Sequence, residues 1–165
     1  MIKRIIFLLL PILLFNGCTR DDICPEGTAT TPKLVLVFKN DVLRENRKEV
    51  KGLSVETDYE NSILVLATTT TDSIAIPLST TSDTTKYRFI RTLGTGNLTE
   101  INIDRVMFIY NRKDLYVTRA CGFKTEFYNL QAILEDEGSE NWIKNITKNR
   151  DTINDENKAH FTFYH

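Results

Sequence analysis

Histidine and cysteine are the residue types in this 165-residue chain that most often take part in catalysis or metal binding. The chain contains two histidines and three cysteines. A nucleophilic cysteine needs a nearby histidine as its base, so a catalytic thiol at Cys121 would depend on His160 or His165. The same histidines are the strongest candidates for zinc ligands, but their odd spacing places them on opposite faces of a strand. The pattern therefore predicts no metal site. We expect one histidine at the edge of the core and a solvated one at the terminus.

Two further patterns could support catalysis. Gly94-Thr95-Gly96 looks like a short phosphate-binding turn, but a strand pattern follows it where such loops require a helix N-terminus. Glycoside hydrolysis needs two carboxylates placed across a cleft, and the 22 acidic residues show no diagnostic spacing. We therefore expect no catalytic residue and no cofactor. A small carbohydrate-active or other hydrolase of the cell surface is the alternative.

The N-terminus has the pattern of a secretory signal. Lys3 and Arg4 precede an apolar run over residues 5–15, which is too short for a transmembrane helix of about 20 residues. The segment ending in Gly17-Cys18 resembles a bacterial lipobox, in which the cysteine thiol is lipid-modified and becomes the new N-terminus. The resemblance implies cleavage after residue 17 and acyl chains, such as palmitate, on Cys18. An ordinary secretory signal that contains a cysteine is the alternative.

The residues that follow Cys18 indicate where in the cell envelope the protein is located. Thr19-Arg20-Asp21-Asp22 is similar to the surface-export signal of Bacteroidota lipoproteins. We therefore expect the chain to be anchored in the outer membrane through its acyl chains and exposed on the cell surface. A periplasm-facing orientation, with these residues acting as a solvated tether, is the alternative.

Two cysteines remain once Cys18 carries lipid. An even remainder in an exported chain favours a disulfide, so the sequence predicts a bond between Cys24 and Cys121, with a catalytic thiol as the competing interpretation. Cys24 lies six residues beyond Cys18. A disulfide there would keep the domain within about 20 Å of the bilayer.

Composition favours a β-rich domain. Ile, Val and Thr together number 45, whereas Ala occurs only 6 times, and β-branched side chains suit sheets better than helices. Loss of Lys3 and Arg4 with the signal moves the formal charge from −1 to −3. This balance excludes a strongly basic nucleic-acid binder, so no nucleic-acid partner is expected.

Short apolar and alternating runs predict the strands. The spacing is typical of an all-β, antiparallel β-sandwich, Ig-like or similar, with about nine strands. The predicted strands cover residues 34–38, 50–56, 63–67, 74–78, 87–91, 99–110, 115–118, 123–134 and 160–164, and residues 142–147 fit either a strand or a helix.

Local sequence patterns also predict how the chain is organised. Residues 111–114 are predicted to form a hairpin loop, because four polar residues separate two strand patterns. Residues 1–17 form the cleaved lipoprotein signal peptide, residues 18–32 a lipidated tether, and residues 33–165 a single β-sandwich domain.

Several motifs resemble a family of Bacteroidota lipoproteins that is classed as a domain of unknown function. They are Asp-x-Cys-Pro at 22–25, Thr-Pro-Lys-Leu before the first strand, Ile-Pro-Leu at 76–78, Tyr-Val-Thr-x-Ala-Cys-Gly-Phe at 116–123 and the closing Ala-His-Phe-Thr-Phe-Tyr-His. The resemblance implies an envelope location and a β-rich domain. It brings no activity.

We therefore expect a non-catalytic, membrane-anchored lipoprotein of the bacterial cell envelope that binds a protein or glycan partner or serves a structural role. Aromatic side chains could provide flat binding platforms, although packing in the core is the alternative for each one. The candidates are Tyr87, Tyr116, Tyr128, Trp142 and Tyr164.

Three hydroxyl residues are candidates for modification. Ser73, Thr84 and Thr152 each follow an aspartate and precede an isoleucine or threonine, in a pattern similar to a short O-glycosylation motif of Bacteroidota. The sequence therefore predicts O-glycosylation at these positions. Turn formation is the alternative, because aspartate, serine and threonine side chains bond to nearby backbone in turns.

Overall fold

The computed structural model describes residues 23–94 and 99–165. Within these ranges the chain forms ten strands and one short 3₁₀ turn at Gly138–Glu140, and no helix there is long and apolar enough to cross a membrane. The strands are β1 (Leu34–Lys39), β2 (Val50–Thr57), β3 (Leu64–Thr71), β4 (Ser73–Ile76), β5 (Thr84–Leu93), β6 (Glu100–Thr118), β7 (Gly122–Leu134), β8 (Asn145–Lys148), β9 (Thr152–Ile153) and β10 (Phe161–Tyr164). The predicted signal peptide and Cys18 lie outside the described residues.

The strands form two sheets. The four-stranded sheet has the order β4-β1-β10-β8, and the six-stranded sheet has the order β3-β2-β5-β6-β7-β9. The predicted all-β antiparallel sandwich is confirmed as a fold class, with sheets rich in antiparallel pairs and ten strands in place of about nine. One neighbouring pair departs from the antiparallel pattern, because β1 and β10 run parallel, with Leu36 opposite Phe161.

Aromatic side chains fill the space between the two sheets. The ring centroid of Phe163 on β10 lies 5.3 Å from that of Phe89 on β5, and Phe161 lies 5.8 Å from Phe108 on β6. All four rings are at most 2% exposed. Burial of such a side chain contributes roughly 1.5–3 kcal/mol, so these contacts between β10 and the larger sheet are a main source of stability.

The predicted hairpin loop at residues 111–114 is wrong, because β6 continues through these residues. Their polar side chains find partners within the strands: Asn111 accepts a hydrogen bond from the Asn129 amide at 3.1 Å, and Asp114 accepts one from the Thr125 hydroxyl at 2.6 Å. Strand pairing thus tolerates the polar run. The turn falls at residues 119–121 and ends at Gly122, whose positive φ of 71° suits glycine.

The described residues divide into two compact units. The first, which we call the sandwich unit, comprises residues 30–115 and 125–165. It contains the four-stranded sheet and all of the six-stranded sheet except residues 116–118 of β6 and 122–124 of β7. The second, which we call the disulfide unit, comprises residues 23–29 together with 116–124. The smaller unit therefore combines a segment near the N-terminus with the turn between β6 and β7.

Candidate ligand-binding surface

The predicted disulfide between Cys24 and Cys121 is confirmed, with a Cα–Cα distance of 4.9 Å. This distance lies within the range that disulfides adopt. Because both sulfur atoms are bonded to each other, Cys121 has no free thiol and the nucleophilic alternative is excluded. The predicted lipidation site, Cys18, lies outside the described residues.

The two histidines lie in different surroundings. His160 is fully buried, and its Nδ1 accepts a hydrogen bond from the backbone N–H of Val35 at 3.0 Å. Burial lowers the pKa of His160 below its usual value. The expectation of a solvated terminal histidine is wrong, because His165 is half-buried, with its ring centroid 5.9 Å from that of Trp142. Within residues 23–94 and 99–165, no group of three potential ligands is placed to hold a metal ion.

The five predicted aromatic platforms separate into three groups. Trp142 and Tyr87 are 2% exposed and belong to the core. Tyr128 and Tyr164 are half-buried. Tyr116 is 64% exposed, so it is the member of this set that presents most of its ring to solvent.

Gly94-Thr95-Gly96 lies in the connection from β5 to β6, although residues 95–98 are outside the described part of the chain. The strands on either side pair antiparallel, with Leu93 opposite Glu100. A strand, not a helix, thus follows the glycines, which agrees with the predicted turn.

The three candidate glycosylation residues share a position in the fold. Ser73, Thr84 and Thr152 are each the first residue of a strand, and each is half-buried. The aspartate before each is ion-paired with a basic side chain, in the pairs Asp72–Arg47, Asp83–Arg112 and Asp151–Lys148. This common arrangement favours a turn role, although none of the three residues is fully buried.

A charged pocket of about 270 Å³, which we call the ion-pair pocket, is formed by strands of the larger sheet and the segments that follow them. In β6, Asp104, Val106 and Phe108 are buried. Because side chains alternate along a strand, Arg105 and Met107 lie on the opposite face, away from the core. The pocket is lined chiefly by Asp58, Lys86, Arg105, Met107, Ile133 and Glu135.

Asp58 lies between two guanidinium groups in this pocket. The register of β5 and β6 places Arg88 directly opposite Arg105, and like charges in that position repel. The two carboxylate oxygens of Asp58 lie 3.8 Å from Nε of Arg88 and 3.7 Å from Nε of Arg105. Glu56 adds a hydrogen bond from Arg88 at 2.7 Å. These carboxylates therefore allow the two arginines to remain adjacent.

Backbone hydrogen bonds fix the acidic residues around Arg105. The N–H of Glu135 donates to the carbonyl of Arg105 at 2.9 Å, and the N–H of Asp58 donates to the carbonyl of Lys86 at 2.9 Å. The Arg105 guanidinium also donates a hydrogen bond to the Glu137 carboxylate at 3.2 Å, and the Glu135 carboxylate lies 4.0 Å from Nε of Arg105. The charged rim is thus held by the strands and not by flexible side chains alone.

The ion-pair pocket also has an apolar part. Met107 is half-buried, and Ile133 is 46% exposed. Binding sites usually combine apolar lining with a few fixed polar groups. A pocket with both signs of charge beside apolar side chains is therefore suited to an amphipathic segment of a partner.

A second pocket of about 390 Å³, which we call the hydroxyl groove, is lined by hydroxyl side chains and Tyr59. Ser79, Ser82 and Thr84 belong to it, and Tyr59 is 49% exposed. The hydroxyl oxygen of Tyr59 accepts a hydrogen bond from the backbone N–H of Lys86 at 3.2 Å, which fixes the ring. Because Asp58 and Tyr59 are consecutive, the two pockets share the segment that follows β2.

Sequence reasoning missed both pockets. Alternation in β5 and β6 could have placed Lys86 and Arg105 on the outer face. However, no local signal pairs Asp58 with Arg105, because that contact depends on the order of β2, β5 and β6 in the sheet.

Comparison with known proteins identifies one family. No curated protein and no solved structure matches the chain. The model of a family of unknown function, DUF6452, matches residues 52–165. Because this match covers well over half of the sequence, the chain belongs to the DUF6452 family.

Proposed function

We propose that the chain is a lipid-anchored protein of the bacterial cell envelope that binds a partner and does not catalyse a reaction. The disulfide between Cys24 and Cys121 carries this proposal. Disulfides persist in exported proteins and are rare in the reducing cytosol. The bond therefore supports the export that the lipobox-like segment ending at Cys18 predicts.

The location is proposed from the sequence around the anchor. The similarity of residues 19–22 to a Bacteroidota surface-export signal favours the outer face of the outer membrane. An orientation toward the periplasm would place the same domain on the inner leaflet.

A protein partner is favoured by the ion-pair pocket. Lys86, Arg105 and Asp58 present both signs of charge, and Met107 and Ile133 add apolar surface. Arginine is enriched among the residues that dominate the energy of protein interfaces. A peptide segment with alternating charged and apolar side chains complements this arrangement.

A glycan partner is the second candidate, and the hydroxyl groove favours it. The half-exposed Tyr59 ring supplies a flat surface, and Ser79, Ser82 and Thr84 supply hydrogen-bonding hydroxyl groups. Such groups suit a sugar, which has apolar faces and many hydroxyls.

Three observations support a non-catalytic role. Asp58 and Glu135, the carboxylates of the ion-pair pocket, both face the guanidinium of Arg105, whereas a glycosidase keeps one carboxyl group as a proton donor. Cys121 is bonded to Cys24. Nδ1 of His160 is occupied by a backbone N–H.

The anchor is tested by comparing Cys18→Ser with Cys24→Ser in the native host. We expect the first variant to lose the acyl mass and leave the membrane fraction, because it lacks the thiol that would carry the lipid and the acyl chains supply the membrane affinity. The second variant should keep both, since it removes only the disulfide. A wild-type chain without acyl mass would contradict the proposed anchor.

The binding surface is tested by a pull-down census on intact cells. Ile133→Lys places a charge in the ion-pair pocket, and Ile101→Lys makes the same change at a 60% exposed position of β6 that does not line it. We expect capture of a protein partner to fall about tenfold in the first variant, equivalent to about 1.4 kcal/mol, and to stay unchanged in the second. Equal capture by both variants would contradict a role for this pocket. Enrichment of glycans that depends on Tyr59 would support the second candidate.

A further inference from the structure

The disulfide unit exposes three large apolar side chains. Ile23 is 77% exposed, Tyr116 is 64% exposed and Phe123 is 68% exposed. The rings of Tyr116 and Phe123 pack edge to face across the hairpin, with centroids 5.5 Å apart. Adjacent exposed apolar side chains, such as this pair of rings, indicate an interaction site. Exposure of these side chains to water does not stabilise the disulfide unit.

The disulfide joins this ring pair to the predicted tether of residues 18–32. It holds the Cα of Cys24 4.9 Å from that of Cys121, and Phe123 follows two residues later. Cys18 precedes Cys24 by six residues. Six residues span at most about 20 Å even when fully extended. Acyl chains on Cys18 would therefore keep the aromatic pair close to the lipid surface.

The side chains of the unit suit the boundary between lipid and water. Aromatic rings concentrate at the level of the lipid headgroups, and a tyrosine there keeps its hydroxyl in water while its ring is buried. Arg119, in the turn between Tyr116 and Phe123, is exposed. A cation at this depth is attracted to anionic headgroups.

We propose that the disulfide unit docks on the membrane surface, with the rings of Tyr116 and Phe123 at headgroup level and Arg119 facing lipid phosphate groups. This inference rests on the proposed lipid anchor at Cys18. It goes beyond that anchor, because docking fixes the disulfide unit against the bilayer, whereas acyl chains alone only limit its distance from the bilayer.

The turn between β6 and β7 is already restrained before binding, so docking costs it little conformational entropy. The N–H of Cys121 donates to the Thr118 hydroxyl at 3.0 Å, and Gly122 takes the left-handed conformation that closes the turn. The disulfide restrains the same residues. A pre-organised surface loses less conformational entropy on binding than a flexible one.

An apolar pair in the sandwich unit provides a matched control. Val42 is 87% exposed and Leu43 is 60% exposed, in the connection between β1 and β2. Their exposure is comparable to that of Tyr116 and Phe123, but no disulfide joins them to the tether segment. Exposure alone therefore predicts membrane contact for both pairs, whereas the tether predicts it for the disulfide unit only.

The proposal is tested with Phe123→Trp and Leu43→Trp, each in the acylated full chain reconstituted into phosphatidylcholine–phosphatidylglycerol vesicles with and without bromine on the acyl chains. Trp142 is 2% exposed and gives a constant background. We expect brominated lipid to lower the emission of Trp at position 123 about twofold, because apolar side chains docked on a membrane reach the boundary between headgroups and acyl chains. Emission of Trp at position 43 should be unchanged.

The outcomes separate this inference from the proposed function. Intact mass of the native chain is measured first, and absence of acyl chains on Cys18 would overturn both the anchor and the docking. An acylated chain in which bromine quenches the two variants equally, or quenches position 43 alone, would overturn the docking and leave the anchor standing.

Discussion

The carboxylate of Asp104 accepts a hydrogen bond from the backbone N–H of Ile143 at 2.7 Å, and its other oxygen accepts one from the N–H of Trp142 at 3.3 Å. Asp104 is fully buried on the core side of β6. The indole N–H of Trp142 in turn donates to the carbonyl of Phe89 at 3.2 Å. One buried acid therefore ties the segment before β8 to the centre of the larger sheet.

Asp104→Asn tests this contact. Burial raises the pKa of Asp104 above 3.8, so the folded state binds a proton more readily than the unfolded state, and stability falls as pH rises through the raised pKa. Asparagine has one acceptor where aspartate has two, so we expect a loss of about 1–3 kcal/mol at neutral pH. Urea unfolding across acidic and neutral pH measures both effects. The exposed Asp136→Asn is the control, and an unaltered pH dependence in Asp104→Asn would contradict the assignment.

His160 gives the opposite pH dependence. Burial and the nearby Arg150 lower the pKa of His160 below 6.5, so the unfolded state binds the proton more readily. Stability is then full above about pH 6.5 and is lost as pH falls toward the lowered pKa. His160→Asn keeps an acceptor for the N–H of Val35 and should flatten this slope. Because burial also lowers the pKa of His165, the double variant with His165→Asn is measured alongside, and a slope that persists in it would refute the histidine origin.

Gly52 is required by a close backbone contact. A Cβ at this position would lie 1.9 Å from the carbonyl oxygen of Thr92, and φ is +63°. Gly27 also has a positive φ, but its Cβ would meet no atom within 4 Å. We expect Gly27→Ala to cost about 1–2 kcal/mol from backbone strain alone, and Gly52→Ala to add about 1–3 kcal/mol of overpacking. Equal thermal midpoints for the two variants would show that the contact with Thr92 is not limiting.

The disulfide should contribute strongly to stability, because Cys24 and Cys121 are separated by 97 residues. Replacement of both by serine is expected to lower the free energy of unfolding by about 2–5 kcal/mol. Cys18→Ser, which leaves the bond intact, serves as the control in urea unfolding of the non-acylated chain. If the double variant unfolds at the same urea concentration as the control, the bond makes no net contribution.

O-glycosylation at Ser73, Thr84 and Thr152 stays a prediction that intact mass spectrometry can decide. We expect the native chain to exceed its polypeptide and lipid mass, because the three hydroxyl residues are half-buried and not enclosed. Replacement of all three by alanine should remove the excess, whereas Thr80→Ala, at an exposed threonine without a preceding aspartate, should not. A native mass explained by lipid alone would leave only the turn role.

Local patterns were sufficient for the strands that face the core. The apolar run at residues 34–38 became β1, because an unbroken apolar run of this length is typical of a strand buried on both faces. The alternating aromatic run at 160–164 became β10, because side chains alternate between the two faces of a strand. The pairing of Cys24 with Cys121 could equally be predicted, because only these two cysteines remain once Cys18 is assigned to lipid.

Polar strand segments could not be predicted from local patterns. Residues 111–114 carry no apolar alternation, and they form part of β6 because Asn129 and Thr125 on β7 supply hydrogen bonds to them. These hydrogen-bond partners lie in a different segment of the chain, so the sequence of residues 111–114 alone could not predict that they form a strand.

The sequence by itself determined that the chain would be rich in β-strands and, once Cys18 is assigned to lipid, which two cysteines would join. Both follow from side-chain chemistry. Only the tertiary structure decided that β1 would pair with the distant β10, that Asp58 would lie between Arg88 and Arg105, and that Tyr116 would be exposed while Trp142 is buried. These outcomes depend on strand order and register. Order and register are set by the combined packing of all strands, and many alternatives satisfy the same local pattern.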